Sequence, residues 1–350
     1  MPIADPFATM SDLSDKSDLP ATRIGGLVGQ AFMAKSQFEN QKSLVARTTG
    51  WYTAGSMWLK ARIILIGLLV VCIVGCGEDI DPNEPQGFIQ TKGSDTIVNA
   101  MQQVAENFML AYPHVFVAVT GGGSGVGIAS LINKTCDVAT ASREMKPKEI
   151  EIAHKRKVDP REFVIAYDGV AVIVNKSNPV DRLTIEDLHK IFTAEAVNWK
   201  QFGGKDLPIV TLSREVSSGT YTYFKEEVVQ LGKKDSTEEF SAETLLLTSS
   251  QAIVEEVAGN ESAIGYLGMG YLSDRTKPVL VAKGSEFHPP DVDNVIKKTY
   301  PLSRPLFVYT DGEPQGVTKL FIDFILNPIG QKQFMETGFV PVGATVAQED

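Results

Sequence analysis

Residues 114–144, HVFVAVTGGGSGVGIASLINKTCDVATASRE, read in order as strand, glycine-rich turn, helix and strand. Apolar residues alternate from Val115 to Val119, glycines crowd positions 121 to 127, and Val126 to Ile132 has the density of a short buried helix. A second apolar run, CDVATA, then ends in Ser142 and Arg143. This is a βαβ unit, whose parallel strands place their loops at the carboxyl edge of a sheet, where α/β proteins bind ligands. Glycines there let a backbone approach an anion closely. Two nucleotide templates can be tested directly. Counted from Gly121, Gly123 or Gly125, the last glycine of G-x-G-x-x-G is replaced by Val126, Ile128 or Ser130. The lysine of a P-loop is absent as well, since Ile128 and Ala129 follow Gly127.

Two further helix entrances share the same chemistry. KGSDT, residues 92–96, precedes an amphipathic helix marked by Ile97, Met101, Val104 and Phe108 and stopped before Pro113. SREVSSGTYTYF, residues 213–224, follows a predicted strand, so that Ser217, Ser218, Gly219 and Thr220 open a helix beside Arg214. Hydroxyls and amide N–H groups from several segments, with Arg143 and Arg214 close by, suit a dry tetrahedral oxyanion, which presents only acceptors.

The 350-residue chain carries a net charge of -10, with 43% hydrophobic and 22% charged residues. That composition suits about two globular domains and excludes nucleic acid as a partner, because no basic stripe is available. Four histidines (114, 154, 189, 288) and three cysteines (72, 76, 136) fall at no metal-ligand spacing, so neither a metal nor a disulfide framework is expected. No cofactor motif occurs. Residues 1–56 are polar and patternless and are read as an extension outside the fold. Residues 57–75 have the form of a secretory signal: Lys60 and Arg62, an apolar core from Ile63 to Val74, then Gly75. Ile73-Val74-Gly75-Cys76 looks like a bacterial lipobox, which implies translation from Met57, cleavage before Cys76 and its acylation, with residues 76–87 as a tether.

The ordered segments GSDT, GGGSGVGI, ATASREM, YDGVAVIVNKSNPV, LTIEDLHKIFTAEAVNWKQFGG, SREVSSGTYTYF, AIGYLGMGY and FIDFILNPIGQKQF are similar to those of the PstS-type phosphate-binding lipoproteins of bacterial ABC importers. The resemblance spans residues 93 to 342. It implies an α/β, two-lobed periplasmic-binding-protein fold (type II), with two doubly wound domains joined by two crossing strands and the ligand in the cleft. The first lobe would hold residues 88–170 and 301–350, the second residues 171–300. Inorganic phosphate would be delivered, without catalysis, to membrane permease subunits by a monomeric protein anchored to lipid through Cys76 outside the cytoplasmic membrane.

Carried over by motif, the phosphate contacts would be Ser94, Asp95, Thr96, Ser124, Gly125, Ser142, Arg143, Arg214, Ser218, Gly219 and Thr220. The best-known members have aspartate where this chain has Arg143, and that aspartate accepts the ligand's proton; here Asp95 and Asp168 are the candidates. Asp168, in YDG, could equally pair with an arginine at the hinge. Trp199, Tyr266 and Tyr271 read as packing residues and His189 as a surface residue. The alternatives are a receptor for sulfate or a phosphonate, or a phosphatase-like enzyme using Ser218, which has no histidine near it in sequence.

Overall fold

The computed structural model describes residues 84–344. The expected extension 1–56, the signal 57–75, Cys76 and most of the tether lie outside the described residues.

The first lobe starts with β1 (Gly87–Gly93), a single 3-10 turn at Asp95–Ile97, and α1 (Val98–Ala111). It continues through β2 (Val115–Thr120), α2 (Ser124–Ile132), β3 (Val138–Ala141) and α3 (Pro147–Lys155). β4 (Pro160–Val174) then leaves it as one long strand. The second lobe contains β5 (Arg182–Thr184), α4 (Ile185–Phe192), β6 (Val210–Arg214) and α5 (Gly219–Phe224), which widens into a π turn through Val229. After these come β7 (Leu245–Leu247), α6 (Ser250–Gly259), β8 (Ala263–Gly268), the short strands β9 (Lys277–Pro278), β10 (Leu280–Ala282) and β11 (Phe287–His288), and α7 (Val292–Ile296). β12 (Ser303–Asp311) returns to the first lobe, which α8 (Gly316–Leu326), α9 (Pro328–Glu336) and β13 (Val340–Pro341) complete.

One sheet runs through both lobes in the order β2-β1-β3-β12-β4-β8-β6-β7. The hand-over happens within β4. Pro160 to Gly169 pair antiparallel with β12, and Val170 to Val174 pair antiparallel with β8. Strands β1, β2 and β3 are parallel to one another, as are β6, β7 and β8.

Each lobe is covered on both faces, which is the doubly wound arrangement. In the first, Ile89, Val115, Ile165 and Leu306 pack under α1, α8 and α9, while Ala139, Ala141 and Phe307 pack under α2. In the second, Val170, Val172 and Val174 point to α4 and α5, and Ala171 and Ile173 point to α6. The unbroken apolar run VAVIV is therefore buried on both sides, as a central strand requires. Within α1 the buried residues are Ala100, Met101, Val104, Ala105 and Phe108, one face at helical spacing.

Trp199 is buried with its Nε1–H on the Ser262 carbonyl, and the Tyr266 ring stacks on Phe224. His189 is not a surface residue: it is only 8% exposed, and its Nδ1 lies 2.8 Å from the Val229 carbonyl oxygen. The π turn after α5 covers that side of α4, a tertiary contact that the α4 periodicity does not encode. Cys136 is a buried free thiol, pushed up to about 12 chiefly by loss of water, and hence unreactive.

Candidate functional site

The segments that leave the carboxyl ends of β1, β2, β3 and β6 meet between the lobes. The glycine turn makes this possible. Gly123 has φ +98 and passes so close to the Ser217 carbonyl that a Cβ there would lie 2.7 Å from its oxygen. Gly127 packs on β1 with similar tightness, where a Cβ would stand 2.5 Å from the Lys92 carbonyl oxygen. The Gly125 amide donates to the Ser217 carbonyl at 2.9 Å, and the Ser217 hydroxyl donates back to the Gly122 carbonyl at 3.3 Å. The glycines thus serve backbone contact across the cleft, and the Gly125 amide is engaged there rather than left for a ligand.

Inside this contact sits a chain of hydroxyls. Ser124, Ser142, Thr96 and Thr220 are all buried. The Ser142 amide donates to Ser124 Oγ at 2.9 Å, and Ser124 Oγ lies 3.3 Å from Ser142 Oγ. Thr96 Oγ1 stands 3.4 Å from Ser142 Oγ and, across the cleft, 2.7 Å from Thr220 Oγ1. Ser218 caps α5: its Oγ accepts from the amides of Thr220 at 3.1 Å and Tyr221 at 3.4 Å. A hydroxyl whose oxygen already accepts an N–H has its own proton left to donate. Ser124 and Ser218 both accept from the backbone in this way, which leaves their own protons available to donate.

Three arginines surround the hydroxyls, and each has its own carboxylate. Arg214 is buried and reaches Asp95 Oδ2 at 3.1 Å, Ser250 Oγ at 2.7 Å and the Thr248 carbonyl at 3.0 Å. Loss of water pulls its guanidinium below the ordinary value, with Asp95 opposing. Asp95 Oδ2 also accepts the Ser250 amide, and Tyr271 donates its hydroxyl to the Asp95 carbonyl, so Tyr271 holds the site as well as packing. Arg143 forks onto Glu149 at 2.7 and 2.8 Å through its two terminal nitrogens, which leaves Nε unengaged. Arg304 donates to Asp168 Oδ2 at 2.8 and 3.1 Å, to the Ser142 carbonyl at 2.9 Å and to Thr220 Oγ1 at 2.9 Å. Asp168 Oδ1 accepts the Met269 amide at 3.0 Å. Full burial pushes the Asp168 carboxyl up, against the pull of Arg304 and that amide.

Of the two sequence roles weighed for Asp168, the geometry fits the hinge pair with an arginine. Among the described residues, Ser94 Oγ, Arg143 Nε and Arg214 Nε are buried donors with no protein partner. Such groups are costly in a dry site unless an acceptor meets them. Sequence reasoning missed Arg304 and placed Ser217 only at a helix entrance, with no contact of its own. The signal for Arg304 was present in YPLSRPLFVY, where a lone cation interrupts an apolar strand and must find a buried anion. Nothing in the sequence distinguishes Ser217 from Ser218, because the difference is one of backbone reach.

The Arg143–Glu149 pair yields a pH prediction. Burial raises the Glu149 carboxyl, but the Arg143 fork and the Lys146 amide outweigh it, and the net shift is downward. A depressed folded value stabilises the protein above the ordinary carboxylate range and is lost as pH falls through the folded value. Glu149→Gln is therefore expected to cost about 1–2 kcal/mol at pH 7 and to flatten the acid limb, read by urea unfolding at pH 7 and 4. Parallel pH profiles for the two proteins would contradict this.

Residues 80–328 match the model of a PBP superfamily domain. The chain is 30% identical to the phosphate-binding protein PstS of Pseudomonas aeruginosa over 297 residues, covering 77% of this chain and 90% of the relative. It is 33% identical to PstS of Staphylococcus saprophyticus over 300 residues, covering 83% and 89%. A Clostridium perfringens substrate-binding protein solved with bound phosphate superposes with a TM-score of 0.66 at 34% identity, over 73% of this chain and all of that one. An ABC-type phosphate transport receptor from Vibrio cholerae gives 0.59 at 32%, over 72% and 99%. With this fold, this buried hydroxyl and arginine constellation and these relatives, the chain belongs to the PBP superfamily and, within it, to the family of PstS phosphate-binding proteins.

Proposed function

We propose that this protein binds inorganic phosphate outside the cytoplasmic membrane and hands it to the permease of an ABC transporter. The observation that carries the reading is the interlobe array of Thr96, Ser124, Ser142, Ser218 and Thr220, with Arg214 behind it. These are donors from both lobes converging on one small, buried place. An anion that accepts from both sides stabilises the closed arrangement of the lobes relative to an open one, which is how a hinged receptor signals occupancy. The proposed contacts are Ser94, Thr96, Ser124, Ser142, Arg214, Ser218, Gly219 and Thr220, with Asp95 beside them. Arg143 and Arg214 would each offer the Nε that their ion pairs leave unengaged, and Asp168 supports the site through its pair with Arg304.

The four histidines are engaged elsewhere, with Glu84, Asp159, the Val229 carbonyl and Glu286, which leaves Ser218 without a histidine base and favours binding over hydrolysis. Among the described residues no helix is long and apolar enough to cross a membrane. Attachment through acylated Cys76 is proposed from the lipobox-like residues 73–76.

Titration calorimetry of the cell-derived protein in mild detergent against phosphate, sulfate, molybdate and a nucleotide tests the reading. Phosphate is expected to bind at least about a hundredfold more tightly than the others, roughly two hydrogen bonds' worth of discrimination. Stronger sulfate or nucleotide binding would overturn it. Mass spectrometry of the same cell-derived material is expected to find an acylated N-terminal Cys76 peptide; peptides from residues 1–50 would refute that start.

A further inference from the structure

Arg304 stands where three parts of the molecule join. It lies near the start of β12, directly opposite Asp168 in the register of the crossing strands. It holds the Ser142 carbonyl of the first lobe, the hinge carboxylate and the Thr220 hydroxyl of the second lobe at the same time. Its guanidinium also lies over the Tyr223 ring, 5.3 Å from the centroid. It is 3% exposed.

The direction of these hydrogen bonds matters more than their number. A guanidinium can only donate. Thr220 Oγ1 accepts from Arg304 Nη2, so its own proton is turned to the next neighbour, which is Thr96 Oγ1 at 2.7 Å or an oxyanion between the lobes. In the first lobe the Ser142 amide does the same for Ser124. Each lobe therefore brings a hydroxyl that already accepts from a protein N–H and keeps its proton available. In the second lobe, the N–H that fixes Thr220 is a side chain rooted on the strand that crosses between the lobes. Resting on the phosphate-binding reading above, we propose that Arg304 is a positioning residue for ligand binding: it presets Thr220 as a donor and ties that donor to the hinge carboxylate Asp168.

Arg304→Lys separates this role from mere structural support. A lysine keeps the charge beside Asp168 but lacks the planar fork that reaches Asp168, Ser142 and Thr220 together. The full-length chain is expected to stay folded by circular dichroism and to lose about tenfold or more in phosphate affinity by calorimetry, the loss of one charge-assisted hydrogen bond. Thr220→Val is expected to cost about tenfold in the parent and nothing further in Arg304→Lys. Ser218→Ala, whose hydroxyl is fixed by backbone amides, is expected to cost the same in both backgrounds. If Arg304→Lys does not fold, Asp168→Asn with Arg304→Met removes both charges, and the same two hydroxyl substitutions are read in that background.

Parent-like affinity in Arg304→Lys, or independent losses for Arg304 and Thr220, would overturn the role while leaving the phosphate reading intact. A parent protein that bound no phosphate would overturn the phosphate reading and the role of Arg304 with it.

Discussion

Gly219→Ala is expected to weaken phosphate binding by about tenfold to a hundredfold while leaving the melting temperature unchanged or slightly raised. Gly219 is the first residue of α5, capped by Ser218, and its φ lies outside the left-handed region, so alanine suits the local helix. What it lacks is room across the cleft. A Cβ at 219 would lie 2.4 Å from Ser124 Oγ, 2.5 Å from Ser142 Oγ and 3.1 Å from Ser124 Cβ. The hydroxyls could rotate, but only by abandoning the orientation that the Ser142 amide imposes on Ser124. The Ser124 Cβ cannot yield without moving α2. Both clashes lie across the cleft, because Gly219 belongs to one lobe and the serines to the other, so separating the lobes would relieve them. The substitution thus acts on closure and not on either lobe's core. Calorimetry with phosphate, beside a thermal melt of the unliganded protein, checks it. Unchanged affinity, or a fall in melting temperature matching the loss in affinity, would contradict the assignment of this contact to ligand-driven closure.

The electrostatic design fits a receptor that must also release. Arg143, Arg214 and Arg304 face Glu149, Asp95 and Asp168 respectively, so the arginines bring no net formal charge to the cleft. A dianion is then held mainly by oriented hydroxyls and amides, which exist as a set only when the lobes meet. An acidic protein with a net charge of -10 can accept an anion on these terms without a free cation.

Much of this arrangement was legible in the sequence, and the reasons differ by residue. The βαβ unit at 114–144 could be read because alternation, glycine turn and helix spacing are local signals. Ser94, Asp95, Thr96, Ser124 and Ser218 could be nominated because each sits at a helix entrance beside a strand end, a position that sequence order records. What the sequence could not supply was pairing. Arg143 and Arg214 look alike beside their loops, yet one forks onto Glu149 in α3 and the other pairs through a single nitrogen with Asp95, more than a hundred residues earlier. Gly125 looked like an anion donor, but its amide meets a carbonyl 92 positions later, at Ser217. Such choices are made by tertiary geometry, after the strands have been placed.

That pairing separates the two carboxylates left open by the sequence. Asp168 is saturated: Oδ2 takes two donors from Arg304 and Oδ1 takes the Met269 amide, all fully buried. Asp168→Asn would leave the Arg304 charge buried without its counter-ion, a change that costs about 3–5 kcal/mol in proteins. The expected result is a large loss of stability in urea, with phosphate and sulfate affinity changed in the same proportion. Asp95 differs. Its Oδ2 takes Arg214 and the Ser250 amide, but among the described residues Oδ1 takes no donor, and its side chain is 17% exposed. A carboxylate oxygen so placed can accept the proton of hydrogen phosphate and repel a fully deprotonated anion such as sulfate. In Asp95→Asn the buried Arg214 likewise loses its counter-ion while keeping Ser250 Oγ and the Thr248 carbonyl, so a stability loss on the same scale, about 3–5 kcal/mol, is expected, and the anion selectivity is what separates the two variants. Phosphate affinity is expected to fall about tenfold to a hundredfold, while sulfate affinity holds or rises. Equal losses for the two anions in Asp95→Asn would remove it as the proton acceptor, and a stable Asp168→Asn with selectively lost phosphate binding would transfer that role to the hinge.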